Sequence, residues 1–231
     1  MQLFITDYKI VASDSVYINE SRIISQCLRV LRYRIGQEFC IQSYQGERYL
    51  VELSEITSQK IVAKILKKIP NQISSKKITM LVAMPNKVDK IEFITQKLTE
   101  IAVDEIIFRP SIRSQIREIP EKKLQRLQTI ILEATEQSWW YKIPTIRFIK
   151  KVTQDLYHDK KVIVFDISDQ NSSEIIVWDK EILWIIWPEW WLERLDYNDF
   201  WKEYFVYALG NTVLRMETAA IIGSWYIKHL Y

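Results

Sequence analysis

Residues 78–109, ITMLVAMPNKVDKIEFITQKLTEIAVDEIIFR, change hydrophobic period twice, and that change decides the fold class. Ile78–Ala83 is a short apolar run that predicts a buried strand. From Asn86 to Ala102 the apolar residues Val88, Ile91, Phe93, Ile94, Leu98 and Ile101 predict a helix, and Glu105–Arg109 is short and apolar again. Strand, helix and strand in about 30 residues make a crossover unit.

Toward the C-terminus the alternation continues, with a helix from Pro120 to about Gln137, strands at Lys161–Phe165, Ile182–Ile186 and Tyr204–Leu209, and a last helix from Thr212 to about His229. This predicts an α/β domain with a largely parallel sheet. Ligands of such sheets sit outside the carboxyl ends of the strands, so a site is expected just after Phe165, Ile186 and Leu209. Toward the N-terminus, the polar and proline-bearing stretch Pro70–Ser75 marks a boundary between domains 1–70 and 71–231. The first domain alternates short β-type runs (Leu3–Thr6, Phe39–Ser43, Tyr49–Leu53, Ile61–Leu66) with one helix, Asn19–Leu31. Asn19 is the expected cap, and Ile23, Ile24, Cys27, Leu28 and Leu31 form its apolar face. Short strands around one helix predict a small β-barrel, with Arg22, Arg29, Arg32 and Arg34 at its surface.

The net charge of +3 is unevenly spread. Residues 1–70 hold 10 Lys/Arg and 7 Asp/Glu, residues 71–150 hold 14 and 9, and residues 151–231 hold 8 and 13. A basic first two thirds suits phosphate contact, and an acidic last third suits a cationic small ligand. The chain has no apolar run long enough for a membrane span and its first residues lack the layout of an export signal, so the cytoplasm is expected. Cys27 and Cys40 read as buried thiols, His158 and His229 as surface residues, and no phosphate-loop or metal-ligand spacing is present. Glycine occurs only 4 times in 231 residues, where roughly 7% is usual, while tryptophan occurs 9 times.

The segment LGNTVLRMETAA, residues 209–220, compresses a strand end, a glycine turn and a helix start. Gly210 can adopt backbone shapes closed to other residues, and the unpaired N–H groups of a helix start can hold polar atoms of a ligand. Four further segments accompany it: IIWPEWWLERL (185–195), EATEQSWWYKIP (133–144), NKVDKIEFITQKLTEIAVDEI (86–106) and CLRVLRYRIGQEF (27–39). Taken together and in order, they cover essentially the whole chain, which resembles the ribosomal small-subunit RNA uridine-N3 methyltransferases of the SPOUT superfamily. The resemblance implies a PUA-like N-terminal barrel, a C-terminal α/β domain that threads a trefoil knot, and a homodimer. It also implies S-adenosylmethionine as cofactor, held in the knot mainly by backbone groups of two loops. These match Ile186, Trp187, Pro188, Glu189, Trp190 and Trp191, and Leu209, Gly210, Val213, Leu214 and Arg215. The implied partner is 16S ribosomal RNA or the small ribosomal subunit, with no membrane and no metal.

Methylation of uridine N3 requires loss of a proton and stabilisation of the resulting anion. Arg215, at the loop-to-helix junction, is the candidate for stabilising that anion or gripping a phosphate. Glu189 and Glu217 are the candidate proton acceptors, although Glu189 can equally order its loop and Glu217 pair with Arg215. RNA contact is expected from Arg29, Arg32 and Arg34, and from Arg109, Arg113, Arg117, Lys122 and Lys123. By family position alone, Gln137 and Ser138 lie near the target base.

Where the family reads G-P-E-G-G, this chain reads Trp187-Pro188-Glu189-Trp190-Trp191, and the family's E-Q-S-G matches Glu136-Gln137-Ser138-Trp139. The smallest residue has become the largest four times while its neighbours are kept. One cause explains both this and the skewed composition: a gene in which UGA encodes glycine, translated as though UGA encoded tryptophan. Read literally, three indoles crowd a loop that must approach a ligand closely, which makes the chain a catalytically silent RNA-binding relative with a blocked cofactor loop. Sequencing the gene is expected to find UGA at codons 139, 187, 190 and 191; UGG there would remove the recoding explanation.

Overall fold

The computed structural model describes residues 1–11, 14–71, 74, 76–111, 114–165, 181–186, 204–210 and 212–229. They belong to two compact units, one of residues 1–73 with 135–143 and the other of residues 74–134 with 144–231.

The first unit contains β1 (Leu3–Ile5), β2 (Lys9–Val11), β3 (Ser15–Ile18), the short helix α1 (Ser21–Ser25), β4 (Glu38–Gln42), β5 (Arg48–Ile56) and β6 (Ile61–Ile69). Its sheet has the order β1-β4-β5-β6-β3-β2, with β1 parallel to β4 and every other pair antiparallel. Period-2 alternation sorts β4 onto two faces. Phe39 and Ile41 join Phe4, Val16, Ile18, Ile23 and Cys27 in one cluster, while Cys40 meets Leu3 and Leu50 on the other side. Among the described residues β1 and β2 remain edge strands, and no pairing closes this sheet into the expected barrel.

The helix expected over Asn19–Leu31 is shorter and changes type. Glu20, not Asn19, occupies the cap position, and its carboxylate accepts from the Thr6 hydroxyl (2.7 Å) rather than capping. After Ser25 the backbone widens into a π-helix, Gln26–Val30, in which the Leu31 N–H donates to the Gln26 carbonyl five residues back (2.9 Å). The wider turn rotates later residues off the apolar stripe, so Cys27 is buried but Leu31 is exposed. Both cysteines are free and buried as expected, and burial pushes the Cys27 thiol up to about 12.

The second unit contains β7 (Lys77–Ala83), α2 (Val88–Glu100), β8 (Glu105–Arg109), most of α3 (Glu121–Ser138), β9 (Thr145–Phe148), α4 (Gln154–Tyr157), β10 (Lys161–Phe165), β11 (Glu181–Ile186), β12 (Phe205–Tyr207) and α5 (Met216–His229). Its six strands run in the order β12-β10-β11-β7-β8-β9, and every pair is parallel. Both faces are buried, as parallel sheets require. Ile78, Met80, Val82, Ile182, Trp184 and Ile186 face α2 and α5, through Ile91, Ile94, Leu98, Ala219, Ala220 and Ile227. Leu81, Ala83, Leu183 and Ile185 face α4 and its neighbours, through Val152, Leu156 and Tyr157. β11 lies between β7 and β10, two strands that precede it in the chain. Among the described residues no helix is long and apolar enough to cross a membrane.

Trp184 is fully buried in the middle of β11, and among the described residues its indole N–H has no hydrogen-bond partner. The ring fits because α5 offers Gly223 opposite it, where an added Cβ would lie 2.8 Å from Trp184 Cζ2. A ring wedged between strand and helix cannot swing away. Gly223→Ala is therefore expected to destabilise the chain by about 1–3 kcal/mol, measured by urea unfolding; unchanged stability would show that the core yields at this point.

Candidate functional site

The carboxyl edge of the parallel sheet is level. Phe165 pairs in register with both Ile186 and Tyr207, so β10, β11 and β12 end side by side. The chain leaves β12 through a turn before entering α5. Leu209, Leu214 and Met216 pack partly buried against the same cluster as Ile186, which anchors the turn at both ends. Between the anchors, Gly210 has φ +117° and, among the described residues, its Cβ position meets no atom within 4 Å. The turn is open, and only glycine adopts that backbone without strain. Val213 is exposed, and Arg215 is exposed at the helix entrance, where its carbonyl accepts from the Ala219 N–H (2.9 Å). Of the proposed cofactor residues, the structure brings together Ile186, Leu209 and Leu214 through one core cluster, with Gly210, Val213 and Arg215 along the same turn.

Glu217, in the first turn of α5, pairs with Lys90 of α2 (2.9 Å). Burial pushes its carboxyl up, but the Lys90 hydrogen bond and charge, the helix-start N–H and the Arg215 charge outweigh that and hold it below the usual range. A carboxylate so stabilised is a weak base. Trp187, Pro188, Glu189, Trp190, Trp191 and Arg113 lie outside the described residues.

The expected RNA contacts divide by exposure. Arg29, Arg32, Arg34, Arg117, Lys122, Lys123 and Gln137 are exposed and Ser138 is half-buried, but Arg109 is buried at the end of β8, away from bulk phosphate. Arg22, expected at the surface, is instead half-buried in an ionic cluster of the first unit. Its guanidinium donates to the buried Glu136 carboxylate (3.0 Å), to Glu20 (3.0 Å) and to the Ile5 carbonyl (2.7 Å), while the Ile5 N–H donates to Glu136 (2.8 Å). Burial opposes the Arg22 charge, yet the bonds to Glu136 and Glu20 prevail and raise its pKa.

A second arginine that the sequence does not single out, Arg48, is buried and donates to the carbonyls of Trp139 (3.0 Å) and Trp140 (3.2 Å) and to Gln42 Oε1. Gln42 in turn donates to the Tyr141 carbonyl (3.1 Å). Residues 136–141 are thus fixed to the first sheet by two arginines, Arg22 half-buried and Arg48 buried. No local pattern announces Arg22 or Arg48, because their partners lie 114 and 91 residues away.

Trp139 sits where the chain leaves α3, with φ +61° and its ring 5.6 Å from the Arg48 guanidinium. An L-residue in that left-handed conformation carries a steric cost of about 1–2 kcal/mol that glycine avoids. The local backbone therefore suits glycine at 139.

Residues 72–227 match the model of a family described as RNA methyltransferase domain. A protein described as ribosomal RNA small subunit methyltransferase E, from Mesomycoplasma hyopneumoniae, is 31% identical over 195 residues, 81% of this chain and 84% of that protein. The fold is similar to that of a ribosomal RNA small subunit methyltransferase E from Neisseria gonorrhoeae solved bound to S-adenosyl methionine (TM-score 0.82, 22% identity, 100% of this chain and 98% of that chain). It is also similar to that of a Legionella pneumophila protein solved in complex with the bound cofactor SAM (TM-score 0.80, 20% identity, 99% of this chain and 97% of that chain).

Replacing Trp139 by alanine and by glycine removes the same ring and differs only in the Cβ. Trp139→Gly is expected to be more stable than Trp139→Ala by about 1 kcal/mol in urea unfolding, and the reverse order would show that the turn imposes no left-handed strain.

Proposed function

Because the chain belongs to the RNA methyltransferase domain family, we propose that it methylates N3 of a specific uridine in 16S ribosomal RNA, with S-adenosylmethionine as methyl donor. The observation that carries this reading is the open turn at Gly210, anchored by Leu209 and Leu214 at the carboxyl end of the parallel sheet. Such a turn lets a ligand approach the backbone closely, as an adenosyl group requires. Support for an RNA substrate comes from the family and from the name of the Mesomycoplasma hyopneumoniae relative; support for the donor comes from the two similar folds solved with it.

When bound, the donor supplies an electrophilic methyl group on a positively charged sulfur. The chain's own work is to hold and orient. Backbone groups of residues 186–191 and 209–215 grip the donor, and Arg215 stabilises the uracil anion that remains once N3 loses its proton. Of the two carboxylate candidates, Glu217 is tied to Lys90 and held below its ordinary range, so Glu189 is the better proton acceptor. Glu217 orients the helix start beside Arg215.

Residues 1–70 serve as a PUA-like RNA-binding domain and residues 71–231 as the methyltransferase domain, acting as a homodimer in the cytoplasm. The trefoil knot around the donor site is what the likeness to the SPOUT family implies.

Calorimetric titration of S-adenosylmethionine is expected to give tight binding when glycine stands at 139, 187, 190 and 191, and poor binding when tryptophan stands at all four. Failure of both forms to bind would sink the methyltransferase reading. In the binding form, Arg215→Ala is expected to lower kcat for methyl transfer to 16S RNA by about 100-fold or more, and unchanged transfer would remove Arg215 from the reaction.

A further inference from the structure

The segment from Arg29 to Gly36 departs from ordinary backbone three times. It begins at the end of the π-helix Gln26–Val30, passes through Arg32 at φ +53° and ends at Gly36 at φ +86°. Of these, the left-handed backbone at Arg32 is strained, and such strain persists only where surrounding structure enforces it and concentrates at functional surfaces. Here the enforcement is visible. The Tyr33 N–H donates to the Cys27 carbonyl (2.9 Å), the Tyr33 ring lies 5.7 Å from Phe39 at the edge of the core, and the Gly36 N–H donates to the Leu53 carbonyl (2.8 Å).

What this rigid loop displays is unusual in composition. Val30 is 72% and Ile35 73% exposed, a poor arrangement for a surface with no partner. Between and beside them stand Arg29, Arg32 and Arg34, all exposed, and among the described residues none of these guanidiniums takes part in an ion pair. Three uncommitted cations call for a polyanion. A duplex offers mainly phosphates and sugar hydroxyls to such a surface, with its base faces stacked out of reach, whereas an unpaired strand offers phosphates and apolar base faces together.

We propose that this loop grips unpaired RNA, with Arg29, Arg32 and Arg34 on successive phosphates and Val30 and Ile35 against splayed bases. The inference rests on the reading that the chain acts on RNA, and it specifies the form of RNA that the first unit selects. The loop's fixed backbone keeps the ordering cost of binding low.

The test is fluorescence anisotropy on the full chain, without methyl donor, using a short unpaired RNA and a hairpin duplex of the same base composition over a range of salt. The unpaired strand is expected to bind about tenfold more tightly than the duplex. Val30→Ser combined with Ile35→Ser should cost about tenfold in affinity for the unpaired strand and leave the salt slope unchanged. Replacing Arg29, Arg32 and Arg34 by glutamine should flatten the slope by about 0.7 for each phosphate that an arginine no longer neutralises. Equal binding of strand and duplex overturns the proposal. So does unchanged RNA affinity of the serine variant, including the case in which that variant alters the sedimentation of the protein and so reveals a protein-docking patch. Loss of methyl transfer with this binding intact would count against the proposed reaction and leave the present inference standing.

Discussion

The central constraint on the second unit is the burial of β11. Strand Glu181–Ile186 lies between β7 and β10, with Ile182, Trp184 and Ile186 on one face and Leu183 and Ile185 on the other, all buried. A strand enclosed on both faces must satisfy its backbone entirely through its two neighbours, which here run parallel to it. That arrangement brings the ends of β10, β11 and β12 to one edge. The proposed donor site depends on the edge so formed, because β12 ends there and α5 follows it in the chain.

The same turn combines anchorage with openness. Leu209 and Leu214 commit apolar surface to the core, while Gly210 leaves the space beside its Cα clear. The ion pair between Lys90 and Glu217 ties α2 to the first turn of α5 and places charge at the helix entrance without making a strong base. In the first unit the organising force is electrostatic. Arg22 and Arg48 hold residues 136–141 through a buried carboxylate and three backbone carbonyls, counting that reached through Gln42. Buried groups of this kind stabilise only when fully partnered, so removing either arginine leaves polar atoms stranded.

Much of the second unit was legible because α2 and α3 are long and its central strands are nearly continuous apolar runs. Glu105–Arg109 and Lys161–Phe165 agree with expectation at both ends, and α2 and α3 differ by a few residues. The first unit was harder. β2 is three exposed residues with no alternation, whereas β3, and β9 of the second unit, do alternate but over only four residues each, too short a run to mark a strand. The helix after Asn19 had a correct apolar stripe as far as Cys27, then changed pitch in a way that no helical template anticipates.

By itself the sequence determined the α/β alternation, the expectation of a largely parallel sheet, the glycine turn at 210 and the basic character of residues 29–34, because each is encoded by near neighbours in the chain. Only the tertiary structure decided that β11 lies between β7 and β10, that Arg22 and Arg48 are bound to residues 136–141, that Arg109 is buried, and that Glu217 is held by Lys90. Those outcomes depend on partners tens of residues away. Periodicity reports which face of an element is buried, but it does not carry the identity of what covers that face.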